Sequence, residues 1–497
     1  MADGALAFGP FVLDTHGALS RDGVAVAISS RGAALLKALI EADGRAVGKG
    51  DLMNAGWPNA AVEESNLTVQ IAALRKALGE SPSGETWIAT VPRIGYRLIR
   101  PAASAVSVEP LAGKPSIAVL AFSNLSSDAE QGYFADGLAE DLIDDLSKVP
   151  GLLVIARNSS FAYRGSTSDV RTIARELGVR YLIEGSVRRA DARVRISARL
   201  IDTVDNTHLW VDRFDRDLVD IFKLQDEVVG RIVNALSDVL PLARALPTRR
   251  PTNLEAYELF IRARPLVTMS PEKNRAGLVL LDKSLALDPS FAAAHAWRAM
   301  SYHFSWIYWG EEARQADALA AARRAVELDP GNADAHMVLG YLRAYAGDLT
   351  GGIADIESTL RLNPNDAEAW ALYADILVFD GRAMEAIKSA RNAFRLNPQP
   401  PSQYYWLLGW AQYAAGLYAD AAETLSHEST RGSGSRRILA AALVQLGRVE
   451  EGRREAEGFL LTTPGFSTAG WAKTQPFRHD GDREHFNDGY LRAGLPP

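Results

Sequence analysis

Prolines recur through the second half of the chain at a spacing that few folds accept. "ALDPS", "ELDPG", "RLNPN" and "RLNPQ" place them at Pro289, Pro330, Pro364 and Pro398; the last two intervals are both 34 residues and the first is 41. Each Asp-Pro or Asn-Pro closes an amphipathic run, because proline lacks the N–H that a helix needs and Asp or Asn favours a turn. A second break falls inside each unit, at "AGD" (346–348), "DGR" (380–382), "AGL" (415–417) and "LGR" (446–448). The pattern is helix, turn, helix, turn. One such unit cannot bury its apolar faces alone, so neighbours must stack into a continuous core. About six units fit across 253–465, with degenerate outer ones.

A chain of 497 residues exceeds one ordinary core. Two small, Pro-containing, aperiodic stretches, "PAASAVSVEPLAGKP" (101–115) and "LPTRRPTN" (246–253), read as linkers. They suggest a domain at 1–103, a linker at 104–114, a domain at 115–242, a linker at 243–252 and a repeat region at 253–497. The fold class expected is multidomain α+β: a winged helix-turn-helix, a small α/β domain, then an all-α solenoid. Hydrophobic residues make up 47% and charged residues 23%, as in a soluble globular protein. The absence of cysteine excludes disulfides and thiolate metal sites. "MADGALAFGPFVLD" has no basic region leading an apolar run, so no signal peptide is expected. Runs such as "LLVIA" (152–156) fall far short of the roughly 18 residues that span a bilayer. The expectation is a cytoplasmic protein without a membrane contact. A formal net charge of -7 means that any nucleic-acid contact must use a locally basic surface.

The middle part alternates element types. "SIAVLAF" reads as a buried strand and "YFADGLAEDLIDDLSKV" as a helix with Leu138, Leu142, Leu146 and Val149 inward. "LLVIAR" reads as a strand, and "DVRTIARELG" as a helix closed by Gly178. "YLIEGSVRRADARVRISARLID" alternates with period two about a "RADAR" turn, an antiparallel hairpin. A strand, "HLWVDRFD", and a closing helix, "DIFKLQDEVVGRIVNALSDVL", follow.

In the first hundred residues, "AFGPFVLD", "GALSRDG" and "VAVAIS" suggest three short strands. "SSRGAALLKALIEADGR" opens on a serine cap and sets Leu35, Leu36, Leu39 and Ile40 on one face. "GKGDLMNAGWP" is a short helix stopped by Pro58. "VEESNLTVQIAALRKALGE" keeps Leu67, Ile71, Leu74 and Leu78 in one buried stripe. "ATVPRIGYRL" (89–98) then reads as a hairpin with a basic tip at Arg93; Gly95 permits its backbone geometry and Tyr96 anchors its base. Strands, three helices and a terminal hairpin make a winged helix.

That order resembles the OmpR/PhoB class of transcription-factor output domains, over residues 7–100. "ESNLTVQIAALRKALG" resembles the recognition helix of the class, and the "VP-R-x-GY" wing resembles the branch of CadC-like and HilA-like regulators. The 34-residue units resemble tetratricopeptide repeats, with Trp370, Ala374, Ala386, Ala393 and Pro398 on that spacing, then Leu408, Gly409 and Ala421. The middle part resembles the TolB-amino-terminal-like module, on "SIAVLAFSNLS", "YFADGLAEDL" and "YLIEGSVRR"; no catalytic residue is implied.

The winged helix implies a DNA interface. With the leucine stripe inward, the third helix turns Ser65, Asn66, Val69, Ala72, Ala73 and Lys76 outward, with Gln70 and Arg75 on its flanks. Asn66 and Gln70 suit adenine edges, alanine suits a thymine methyl, and Arg75 and Lys76 suit phosphate. Thr90, Arg93, Tyr96 and Arg97 belong to the wing, with Arg93 placed for the minor groove or a phosphate. The class often carries basic residues where Ala72 and Ala73 stand here. Residues 1–100 hold ten Lys/Arg against ten Asp/Glu, so one head alone should bind modestly.

Other clusters carry no chemistry on this reading. The eight histidines form no i, i+4 pair. Glu140, Asp141, Asp144 and Asp145 are expected on a solvated helix face. "RGSGSRR" (431–437) follows no strand and is no phosphate loop. "WRAMSYHFSWIYWG" (297–310) is mostly repeat core, with some ring surface left for a ligand or peptide. Neither a catalytic residue nor a metal or cofactor is expected. The expected partners are double-stranded DNA, RNA polymerase, a protein on the repeats and a second copy on DNA. The rival is a regulatory or scaffold protein of a nucleotide-signalling system acting through the repeats, because similar modules occur fused to nucleotide cyclases.

Overall fold

The structure, a computed structural model, describes residues 6–8, 11–14, 17–21, 24–42, 47–58, 64–79, 87–91, 95–98, 115–166, 168–237, 251–307, 314–426 and 435–497. The chain divides into two compact units, Met1–Ser107 and Val108–Pro497.

In the first unit, β1 (Leu6–Phe8), β2 (Phe11–Leu13), β3 (Leu19–Arg21) and β4 (Val24–Val26) form an antiparallel sheet in chain order. The sequence suggests three strands here and the structure has four. The first run folds back on itself, with Phe8 opposite Phe11. α1 (Ser30–Glu41) begins at Ser29, whose Oγ accepts from the Gly32 N–H at 2.9 Å. β5 (Val47–Gly48), also absent from the sequence reading, leads into α2 (Lys49–Gly56). α3 (Glu64–Leu78), β6 (Ile88–Val91) and β7 (Gly95–Leu98) complete the unit, with β7 between β5 and β6. The two leucine-rich stripes meet in one core that also holds Phe11, edge-on to Trp87 at 5.3 Å.

The second unit opens with β8 (Ser116–Val119), β9 (Ser123–Asn124), α4 (Gly132–Ser147), β10 (Leu153–Val154), α5 (Arg157–Phe161) and α6 (Val170–Leu177). β11 (Tyr181–Ala190), β12 (Arg193–Asp202), β13 (Thr207–Asp217) and α7 (Ile221–Ser237) follow. The sheet runs β10-β8-β11-β12-β13, with β9 on β11; β10 and β11 flank β8 in parallel and the last three strands are antiparallel. Gly178 closes α6 at φ 68°, where a side chain is strained. Leu138, Leu142, Leu146 and Val149 are buried under the sheet.

Six helix pairs come next among the described residues. They are α8 (Leu254–Ala263) with α9 (Pro271–Leu287), α10 (Ala292–Ile307) with α11 (Arg314–Leu328), and α12 (Ala333–Tyr345) with α13 (Leu349–Leu362). α14 (Ala367–Phe379) with α15 (Ala383–Leu396), α16 (Ser402–Ala414) with α17 (Tyr418–Leu425), and α18 (Ser435–Gln445) with α19 (Val449–Thr462) complete them. α20 (Thr468–Thr474) and α21 (Asp480–Arg492) pack on the last pair. Small residues set the helix spacing: a Cβ on Gly409 would lie 2.4 Å from Leu425 Cγ, and one on Gly340 would lie 2.7 Å from the Gly352 carbonyl. Ala374, Ala386, Ala393 and Ala421 are fully buried.

The acidic face of α4 is largely packed, contrary to the expectation from its sequence, although Asp144 keeps 44% of its side chain exposed. Arg264, just past α8, lies buried 3.3 Å from Glu140, 4.0 Å from Asp141 and 3.2 Å from Asp144, with its guanidinium 5.0 Å over the Trp297 ring. Tyr257 and Gln225 both donate to Asp141, at 2.5 and 2.8 Å. Burial pushes the Asp144 carboxyl up to about 7 against the pull of Arg264, with Asp334, Glu140 and Asp141 adding to the rise. The helix has two packed sides, one on its own sheet and one on the repeats. Helical periodicity reveals only the apolar one.

The repeat turns themselves hold the α/β module. Asn365 Nδ2 donates to the carbonyls of Ser147 and Leu152, both at 2.8 Å, and Asn365 Oδ1 accepts from Val154 N–H at 3.4 Å. One repeat later the Ala156 N–H donates to the Leu396 carbonyl at 2.8 Å. Ser159 Oγ donates to Asn397 Oδ1 at 2.5 Å and accepts from the Gln399 N–H at 2.7 Å. Of "LLVIAR", Leu153–Val154 pairs with β8 on the inner side, while the solenoid occupies the outer edge.

Candidate nucleic-acid interface

α3 is anchored along one side and open along the other. Leu67, Ile71, Leu74 and Leu78 are buried at 2% exposure or less, while Ser65, Asn66, Thr68, Ala72, Ala73 and Lys76 are exposed and Val69 is 64% exposed. The spacing of the stripe forces this division, since residues three and four apart share a helical face. An exposed valine beside two alanines makes a shallow apolar strip. Asn66 at one end can read a base edge, and Lys76 at the other can meet a phosphate.

The flanking residues are held from within the unit. Gln70 is half-buried, and its Oε1 accepts from Ser29 Oγ at 2.8 Å, so the cap of α1 also orients this side chain and leaves its NH2 as a donor. Arg75 reaches the wing: Nε donates to the Ile88 carbonyl at 2.8 Å, a terminal nitrogen donates to Thr90 Oγ1 at 2.9 Å, and the guanidinium lies 5.8 Å over the Tyr96 ring. Arg75 thus ties the helix to the hairpin and fixes the angle between them. Lys49 pairs with Glu64 at the first turn of α3, and that hydrogen bond raises the lysine pKa. The sequence signals Ser29 only as a helix cap; its bond to Gln70, 41 residues away, and the bond of Lys49 to Glu64, 15 residues away, leave no local pattern.

In the wing, Tyr96 is 6% exposed and stands opposite Val47 on one side and Thr90 on the other. Thr90 is exposed. The Arg97 backbone pairs with Ala89; Arg93 lies outside the described residues. Gly95 corrects an expectation. It is not among the residues at positive φ, and its need is steric: a Cβ would lie 2.0 Å from the Val47 carbonyl of β5. The absence of a side chain lets a third strand join the hairpin.

Elsewhere, the aromatic segment packs on the repeat core, with Trp297, Tyr302, Phe304 and Trp306 half-buried, so that some ring surface is left open as the sequence suggests. Trp297 Nε1 donates to Asp334 at 3.3 Å, and His303 packs edge-on to Tyr341 at 5.0 Å. Residues 308–310 of that segment, the linker stretches 101–114 and 243–250, and 431–434 lie outside the described residues. Among the described residues no group of acids and histidines is placed to hold a metal ion, and no helix is long and apolar enough to cross a membrane.

Comparison with known proteins places families on these parts. Residues 23–98 match the model of the C-terminal domain of transcriptional regulatory proteins, and residues 313–367 and 374–428 match tetratricopeptide repeats. A protein of Rhizobium meliloti named "Putative adenylate cyclase 3" is 52% identical over 201 residues, 38% of this chain and 34% of that protein. The transcriptional regulator HilA of Salmonella typhi is 27% identical over 350 residues, 67% of this chain and 60% of HilA. The chain therefore spans less than two thirds of either relative. The DNA-binding domain of Klebsiella pneumoniae RstA, solved with the RstA box, is 22% identical with a TM-score of 0.18, covering 19% of this chain and 97% of that one. At its N-terminus the chain carries an OmpR/PhoB-type winged-helix domain of the transcriptional-regulator class, and in its C-terminal half it carries tetratricopeptide repeats.

Proposed function

We propose that the chain is a non-enzymatic, cytoplasmic transcriptional regulator that binds promoter DNA through α3 and the wing. The observation that carries this reading is the open side of α3, Ser65 to Lys76, on a helix whose other side is locked into a winged helix. In this reading α3 enters the major groove, Asn66 and the Gln70 NH2 contact base edges, and Val69 and Ala73 meet thymine methyls. Lys76, Arg93 and Arg97 meet the backbone or minor groove, while Arg75, Thr90 and Tyr96 hold the wing in place. The repeats and the α/β module form the controlling part, which contacts a protein partner, RNA polymerase among the expected ones, and pairs two heads on DNA.

A gel shift of the full chain against fragments of its own genome tests the reading. Saturable binding that Asn66→Ala reduces supports it; salt-sensitive binding with no fragment preference sinks it. A second reading, a regulatory protein of nucleotide signalling, is favoured by the likeness to the cyclase-named relative. Production of a cyclic nucleotide by the purified chain, or by a cyclase only in its presence, would move the conclusion there.

A further inference from the structure

The two ends of the α/β sheet are treated differently. At the β10 end, the repeat turns occupy the outward groups of Leu152, Val154 and Ala156. At the other end β13, eleven residues long, pairs only with β12 among the described residues. An open edge of that length is a template for another strand. Its charges are also unbalanced in one place. Arg193, Arg195, Arg199 and Arg216 on the two last strands each meet a carboxylate. Asp212 and Arg213, at the middle of β13, have no ion pair among the described residues; with no strand beside it, the Arg213 N–H donates to Asp212 Oδ1 at 2.8 Å, and Val211 next to them is 63% exposed.

We propose that β13 pairs antiparallel with β13 of a second copy of this chain, joining two sheets into one. The register follows from symmetry. Antiparallel strands related by a two-fold axis normal to the sheet place some residue opposite itself, because facing residues must share a side of the sheet. With Asp212 or Arg213 on the axis, like charges meet and the pairing is penalised. With Phe214 on the axis, Arg213 faces Asp215 and Asp212 faces Arg216, and each pair occurs twice. Asp215 already accepts from Arg193 and Arg195, so the added arginine extends an existing row of alternating charge across the junction. Seven residues of each copy, 211–217, enter the shared ladder; the Arg213 N–H exchanges Asp212 Oδ1 for the facing strand, and Asp212 and Arg213 each gain an ion-pair partner.

The proposal rests on the regulator reading only for its use at DNA, so its test is made without DNA. Sedimentation of the full chain should show a concentration-dependent dimer. Arg213→Asp sets carboxylates opposite Asp215, and Asp212→Arg sets guanidiniums opposite Arg216; each should weaken the dimer by about tenfold or more. Asp212→Arg combined with Arg216→Asp restores opposite charges in the same register and should recover most of the affinity, an outcome a merely structural role would not give. Unchanged melting of the single variants checks that they fold. Binding to a single half-site by the Arg213→Asp chain, measured separately, reports on the DNA reading alone. A full chain that stays monomeric at concentrations saturating its DNA site overturns the proposal. So does a dimer indifferent to these charges.

Discussion

Asn365 holds the carbonyl of Leu152 at 2.8 Å with its side-chain amide and takes the Val154 N–H at 3.4 Å with its oxygen, as a neighbouring strand would. A turn between two repeat units thereby ends a β-sheet that belongs to a different fold. Asn365 follows Pro364, one of the prolines that punctuate the repeats. The residues that stop the solenoid helices thus also place the groups that grip the α/β module.

Replacing Asn365 with alanine removes donors from two backbone carbonyls and should destabilise the second unit by about 1–3 kcal/mol. Urea unfolding of the full chain, followed by signals from each unit, checks this. The transition of residues 108–497 should move while that of the winged helix stays in place. Asn365→Asp should be at least as damaging, because an ionised carboxylate cannot donate to Ser147 or Leu152.

Two residues of α3 should separate affinity from stability. Asn66→Ala should leave melting unchanged and cost about 1–3 kcal/mol of discrimination between specific and unrelated duplexes. Arg75→Ala should lower the melting of the first unit, because it removes the bonds to Ile88 and Thr90, and should weaken all DNA by loosening the wing. Normal melting with weaker DNA binding in Arg75→Ala would instead make this arginine a direct phosphate contact.

Gly95→Ala tests the third strand of the wing. The added methyl would collide with the Val47 carbonyl, so β5 and β7 must part. Loss of about 2 kcal/mol or more is expected, in line with overpacking at a close approach. DNA affinity should fall although no DNA-facing residue changes.

The second unit should gain stability on mild acidification through its inward carboxylates. Burial pushes Asp366 up to about 7, helped by the neighbouring Asp334, and Asp375 up to about 6 despite the hydroxyl donors Tyr345 and Tyr341. A carboxyl with a raised folded pKa binds its proton more tightly folded than unfolded. Its penalty is absent below the unfolded value near 3.8, grows as pH rises, and is complete above about 7 for Asp366. His303 works the other way, held neutral by burial down to about 3, so its contribution is lost between about 6.5 and 3 as pH falls. Asp366→Asn removes this one carboxyl and keeps the cap, because asparagine still accepts from the Ala369 N–H at the start of α14. The variant should be more stable than the parent by about 1–3 kcal/mol above pH 7 and equal to it near pH 4. Equal stability at every pH would mean that Asp366 stays ionised without cost.

The elements legible in the sequence are those whose information is local. The stripe at Leu67, Ile71, Leu74 and Leu78, the serine cap at Ser29, the Gly178 stop and the proline period all rest on contacts within a few residues. What escaped detection involves distant chain. β5 has two residues and exists because β7 offers it an edge at Gly95. The burial of Glu140 and Asp141, and the ion pair of Asp144, depend on Arg264, more than a hundred residues on. At the candidate site, the exposed row of α3 could be read from periodicity. The bonds that hold Gln70 and Arg75 could not.

The edge pairing proposed for β13 has a consequence for DNA. Residues 1–100 balance ten basic against ten acidic residues, and α3 presents Ala72 and Ala73 where a further cation would strengthen backbone contact. A single head therefore lacks the charge for tight binding. Two heads joined through their second units bind a paired site with an effective concentration set by the connecting chain, without any new DNA contact. The first unit has its own core, so the fragment 1–107 is a fair single head. On DNA with one half-site, fragment and full chain should bind alike. On two half-sites the full chain should gain about tenfold or more, and the gain should fall as the half-sites are moved beyond the reach of the linkers. The Arg213→Asp chain should lose that gain while keeping its affinity for one half-site. If the wild-type chain gained nothing from the second half-site, the controlling part would have to act on the heads by some route other than pairing them.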